Sequence, residues 1–143
     1  MKPVLLLLSL LALVSPVLAE TTYTLTVKVT NIPGAKGDLL IGVYDSAKSF
    51  TGSPLPQSPK IKLTSDKPVT AKIAKLKPGT YAVAVIQDLN GNGVLDKNFI
   101  GMPTEPLAFS VIKKIPMGKP GFESCSFEIK DANVSMTIPL VLE

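Results

Sequence analysis

The sequence predicts an all-β protein folded as an antiparallel sandwich of seven or eight short strands. Three observations point there. Apolar and polar residues alternate with period two through most of the chain beyond residue 22, and no window sustains a helical spacing. Clusters of Pro, Gly, Asn, Asp and Ser interrupt the alternation at roughly the spacing of a sandwich.

Residues 1–19 precede the strands and read as an export leader. Lys2 supplies the positive start, Val4 to Val14 form an apolar stretch, and Val17-Leu18-Ala19 is a small-residue cleavage motif. The apolar stretch is shorter than the roughly 20 residues needed to cross a bilayer. Glu20 rather than Cys follows the motif, which leaves no thiol there to carry a lipid. The expectation is an exported protein, periplasmic or extracellular, without a membrane anchor after cleavage and with one domain over residues 20–143.

The first strand is Tyr23, Leu25, Val27 and Val29 alternating with Thr and Lys, a pattern with one buried face. Pro33 to Gly37 supply a turn into a more uniformly apolar second strand, Leu39 to Tyr44, and the two read as a hairpin. Ser46 to Pro59 hold three Pro and a Gly, so this stretch is a loop with at most one helical turn near Ser46. Strands follow at Lys60–Thr64 and Val69–Lys75. Tyr81 to Ile86 are apolar on both faces, which marks the central strand. Beyond a long loop come strands at Leu107–Lys113, Ser124–Lys130 and Val134–Leu142, and Pro139 places the last at an edge or a bulge.

Composition removes much chemistry. The chain has 15 Lys, 11 acidic residues, one Cys, and no His, Arg or Trp, for a net charge of +4. Without His there is no imidazole base, and without Arg no bidentate phosphate fork. With eight Phe and Tyr residues and no Arg, nucleic acid finds little to stack on or clamp. Lys60, Lys62, Lys72, Lys75, Lys77, Lys113 and Lys114 read as solubilising residues that also guard sheet edges. Cys125 alternates with Phe127 and Ile129 and reads as a buried small hydrophobe, while Tyr23, Tyr44 and Tyr81 read as core.

One loop carries candidate chemistry. Asp88, Asn90, Asn92 and Asp96 place oxygens at positions 1, 3, 5 and 9 of a segment with Gly93 at 6 and the carbonyl of Val94 at 7. Hard cations need many converging oxygens, and this spacing resembles the first nine positions of an EF-hand loop. Position 12 is Phe99 rather than a bidentate Glu, and Glu105 is the candidate third carboxylate. The alternative is a self-satisfied loop, because Asn and Gly tolerate positive φ and Asx side chains bond their own backbone. Val94, Leu95, Phe99, Ile100 and Met102 offer apolar side chains to pin it to the body.

Leu76-Lys77-Pro78-Gly79-Thr80-Tyr81-Ala82-Val83 resembles the L-x-P-G-x-Y-x-V signature of transthyretin-like and carboxypeptidase-regulatory-like sandwiches. With the Asp88–Asp96 loop and Gly101-Met102-Pro103-Thr104-Glu105 after it, the chain is similar to the exported bacterial family called domain of unknown function 2141. The resemblance implies an immunoglobulin/prealbumin-like β-sandwich of the cell envelope with no established activity. Transthyretin-like folds include hydroxyisourate hydrolases, whose chemistry requires His and Arg that this chain lacks.

The function expected from the sequence is a non-enzymatic binding or structural module. Its partner would be an envelope or extracellular protein or a glycan, with calcium a candidate ligand of Asp88, Asn90, Asn92, Val94, Asp96 and Glu105. The alternatives are a hydrolase using Asp88, Asp96 and Glu105, which needs carboxyls roughly 5–10 Å apart across a cleft, and a metal-free protein-interaction domain.

Overall fold

The computed structural model describes residues 18–142, so all but the last two residues of the expected leader lie outside the described residues. Eight strands and two single-turn helices follow one another: β1 (Tyr23–Thr30), β2 (Asp38–Tyr44), α1 (Ala47–Phe50), β3 (Lys60–Lys62), β4 (Val69–Leu76), β5 (Gly79–Asp88), β6 (Leu107–Phe109), α2 (Phe122–Cys125), β7 (Phe127–Ile129) and β8 (Val134–Pro139). One sheet has the order β4-β1-β8. The other has the order β3-β2-β5-β6, with β7 also paired to β5.

Alternation decides which side chains meet between the sheets. Leu25, Val27 and Val29 of β1 and Leu39, Ile41 and Val43 of β2 are buried in one core with Val83, Val85, Ile73 and Ile138. The opposite face of β5 is also covered. Ala82 and Ala84 pack with Phe50 of α1, Cys125 of α2, Leu107 and Phe109 in a second cluster. This explains why β5 is apolar on both faces: one meets the facing sheet, and the other meets a layer of helical turns and loops.

Four expectations are corrected in detail. Tyr23–Thr30 and Asp38–Tyr44 do not form a hairpin, because β1 pairs with β4 and β8 while β2 pairs with β3 and β5. The connection carries Ile32 into the inter-sheet core and turns at positive φ at Asn31 and Gly37, so it crosses between sheets instead of folding back. The sheets are not wholly antiparallel: β8 runs parallel to β1, from Leu25 opposite Val134 to Thr30 opposite Pro139. Period two sets the faces of a strand but not its partner or direction.

The strand expected at Ser124–Lys130 begins as a helical turn, so Cys125 is buried beneath the outer layer rather than beside Ile129. The strand expected at Leu107–Lys113 ends at Phe109. There the Ser110 N–H still donates to the Val83 carbonyl at 2.9 Å, but its hydroxyl takes the place of the next carbonyl, accepting from the Val83 N–H at 2.8 Å and donating to the Cys125 carbonyl at 2.5 Å. Val111 follows at φ 71°, the centre of a tight turn closed by the Ile112 N–H on the Ser110 carbonyl.

The edge reading of Pro139 holds, and four of the seven lysines lie on edge strands, while Lys77, Lys113 and Lys114 lie in connections. β8 with Pro139 is an edge strand, as are β3 and β4, which carry Lys60, Lys62, Lys72 and Lys75. Lys60 and Lys62 both pair with Asp38 on β2, at 3.2 and 3.7 Å. The helical turn near Ser46 is α1, with the Ser46 hydroxyl accepting from the Ser49 N–H and Ser49 answering to the Ser46 N–H.

Candidate functional site: an acidic clasp beside an apolar pocket

The chain leaves β5 at Asp88, whose side chain is fully buried without a cation partner among the described residues. Its charge is met by backbone. Oδ1 accepts from the N–H groups of Gly91 and Asn92 at 2.7 and 3.2 Å, and Oδ2 from that of Gly93 at 2.7 Å. The positive φ of Gly91 and Gly93 aims those donors inward, which is why glycine stands at both positions. Glu105, 2% exposed, bridges the two ends of the loop: Oε1 accepts from Leu89 N–H at 2.7 Å and Oε2 from Asp96 N–H at 3.0 Å. Asp96 in turn accepts from the side-chain amides of Asn90 and Asn92 at 2.5 and 2.9 Å.

The structure therefore brings together the expected residues, Asp88, Asn90, Asn92, Asp96 and Glu105, but fills their acceptor sites internally. All six carboxylate oxygens of Asp88, Asp96 and Glu105 accept an N–H, and the Asn90 and Asn92 side-chain oxygens accept from Asn92 and Val94 N–H. In this arrangement the Asn90 and Asn92 side chains turn their N–H groups, not their oxygens, toward Asp96, whereas a hard cation needs converging oxygens. Among the described residues no three carboxylate, thiol or imidazole groups gather as a metal cluster.

Beyond Asp96 the chain makes a short hairpin. Lys97 bridges to Pro103, Asn98 N–H donates to the Met102 carbonyl, and Gly101 N–H returns to Asn98. Phe99 and Ile100 sit at its tip, and Phe99 is 99% exposed. The expectation that five apolar side chains pin this loop is thus corrected. Leu95 packs into the outer cluster and Met102 lines a cavity, but Val94, Phe99 and Ile100 face out. The buried carboxylates do the pinning, since two charge-assisted bonds to backbone hold a loop more rigidly than one apolar contact.

That hairpin walls a cavity of about 310 Å³ on the outer face of the five-stranded sheet. Its floor is Ala84 and Ile86 of β5 with Leu107 and Phe109 of β6. Tyr44, Met102 and the segment Ile115–Lys119 close the sides. Small residues create the hollow: at Gly42 a Cβ would lie 2.7 Å from the Tyr44 hydroxyl, so glycine lets that ring lie flat over the sheet. Burial raises the Tyr44 phenol pKa above its ordinary value. Sequence reading missed Tyr44, Met117 and Lys119 as site residues. The available signal was the double-sided apolar character of β5, which requires a cover over its second face.

At the other end of β5, Pro78-Gly79-Thr80-Tyr81 has a geometric purpose. The Tyr81 hydroxyl donates to the Lys77 carbonyl at 2.8 Å, tying the start of the strand to the turn before it. Residues 27–137 match the family model described as an uncharacterized protein conserved in bacteria, DUF2141. The chain belongs to this family. The match runs from within β1 to within β8, so the clasp, the Tyr81 tie and the pocket all lie inside the DUF2141 span. No curated protein and no solved structure matches the chain. Among the described residues no helix is long and apolar enough to cross a membrane.

Proposed function

We propose that this protein is an exported, non-enzymatic module that binds a small, mainly apolar molecule in the pocket beside the acidic clasp. The observation that carries this is the cavity itself: a preformed concavity within the usual size range of ligand sites, roughly 300–1,000 Å³, lined mainly by Ala, Ile, Leu, Phe and Met, with Tyr44, Lys97 and Lys119 as its polar side chains. That lining favours a small apolar molecule over a glycan. No carboxylate lines it, and the carboxylates of Asp88, Asp96 and Glu105 are engaged by N–H groups, which leaves the hydrolytic reading without an acid or base at a cavity. In this reading the clasp needs no ion; it anchors the hairpin that walls the hollow. The finer fold assignment, a prealbumin-like sandwich, belongs to the same proposal and is supported by two sheets on one core and the Tyr81 tie.

The test uses N-phenyl-1-naphthylamine, a neutral fluorophore whose emission rises in apolar sites. Saturable binding with one probe per chain is expected, lost in Ala84→Leu, which fills the floor; because Ala84 packs in the outer cluster, thermal denaturation of that variant checks that it is still folded. Unsaturable or absent emission with the natural chain rejects the pocket.

Calcium is the second reading, supported by the convergence of Asn90 and Asn92 on Asp96 beneath the buried Asp88. It requires those amides to turn their oxygens inward. Calorimetric titration to several millimolar calcium separates the readings: heat and a thermal shift favour the ion, and neither favours the self-satisfied clasp.

A further inference from the structure

We propose that the pocket takes an organic anion with a short apolar body, its acid group lodged between the ammonium groups of Lys97 and Lys119. This deepens the pocket reading and rests on it.

Two loops far apart in sequence bring one lysine each to the same cavity, and no Asp or Glu lines it. Four of the fourteen described lysines pair with acids, Lys60 and Lys62 with Asp38, Lys77 with Glu20 and Lys130 with Glu128. Among the described residues neither Lys97 nor Lys119 has such a partner. Lys119 is also held in place. Its ammonium lies 4.5 Å from the centre of the Phe50 ring and donates to the Phe50 carbonyl. Partial desolvation and repulsion from Lys97 lower its pKa. A bound anion opposes both effects, whereas a neutral ligand leaves the repulsion between the two lysines in place.

The remainder of the site selects the body. Ile86, Leu107 and Phe109 offer an apolar floor, and Met102 and Met117 stand at the rim, Met117 fully exposed. Unbranched thioether side chains adapt to an aliphatic chain better than a branched wall does. A cavity at the small end of ligand sites fits one medium-length chain or a compact ring, not a two-chain lipid.

The experiment displaces N-phenyl-1-naphthylamine from the purified protein with decanoate and with decan-1-ol, which share a chain and differ in charge. At low salt decanoate should displace at a concentration about tenfold lower than the alcohol, and the gap should narrow as salt rises. Lys97→Gln and Lys119→Gln should each weaken decanoate about fivefold, the scale of one partly exposed charge pair. The double variant should remove the preference while the naphthylamine still binds. Lys119 also touches Phe50, so Lys97→Gln, at an exposed position, is the variant that tests charge without touching the core. Equal displacement by the two compounds, or displacement by neither while the probe binds, overturns the anion and leaves the pocket. Failure of the probe itself to bind overturns both.

Discussion

Replacing Glu105 by Gln changes one atom and should cost the protein a large share of its stability. The carboxylate is 2% exposed, and its two oxygens each accept one backbone N–H, from Leu89 and Asp96. Glutamine keeps one acceptor and turns an NH2 group toward the other N–H. One charge-assisted bond worth about 1.5–3 kcal/mol is lost, and a buried donor left unpaired adds about 1–3 kcal/mol. The sum is about 2.5–6 kcal/mol, or a fall in Tm of roughly 10–25 °C for a domain of this size. Urea and thermal denaturation measure the loss. Amide hydrogen exchange localises it, because protection should collapse first at Leu89 and Asp96 and then along the 97–103 hairpin. Naphthylamine binding should weaken with it, since that hairpin is a wall of the pocket. A variant within about 0.5 kcal/mol of the natural chain, with both amides still protected, would refute the clasp.

Three further outcomes follow from local geometry. Gly37→Ala should destabilise by at least about 3 kcal/mol in chemical denaturation, because its Cβ would lie 1.9 Å from the Asp88 carbonyl oxygen at a φ of +77° that only glycine adopts freely. Unchanged stability would mean that the crossing between sheets is placed wrongly. Val111→Gly should raise stability by about 1 kcal/mol, since an exposed β-branched residue at φ 71° stores strain that glycine releases; a lower Tm would argue against that turn. At high pH the half-buried phenol of Tyr44 and the buried phenol of Tyr81 should be costly. Burial raises both above the ordinary 10.0, so the neutral form is favoured in the folded state. The stability they confer is complete below pH 10 and falls as pH rises through the folded pKa values. Tyr44→Phe should lessen that alkaline loss, measured by unfolding curves alongside the absorbance of tyrosinate.

Much of the fold was legible because a strand with one wet face must alternate. Val27 and Val29 of β1, Ile41 and Val43 of β2, and Val83 and Val85 of β5 could be assigned to a core from spacing alone. Where legibility failed, the missing quantity was long-range. Nothing in Tyr23–Thr30 says that its neighbours are β4 and a parallel β8 rather than β2. The Ser124–Cys125 pair reads as strand because a single helical turn is too short to show a helical period.

The sequence by itself determined the chemical type of the protein: all-β, lacking imidazole and guanidinium, with Asp88, Asn90, Asn92 and Asp96 gathered in one glycine-rich loop. These are properties of residue identity and near-neighbour spacing, which the chain carries whether folded or not. Tertiary structure alone decided what those oxygens do and where a ligand would sit. Glu105 reaches the two ends of the loop from beyond it, and Lys97 and Lys119 reach one cavity from separate loops. Such meetings depend on how sheet, helical turn and loop pack in space, and no local pattern encodes them.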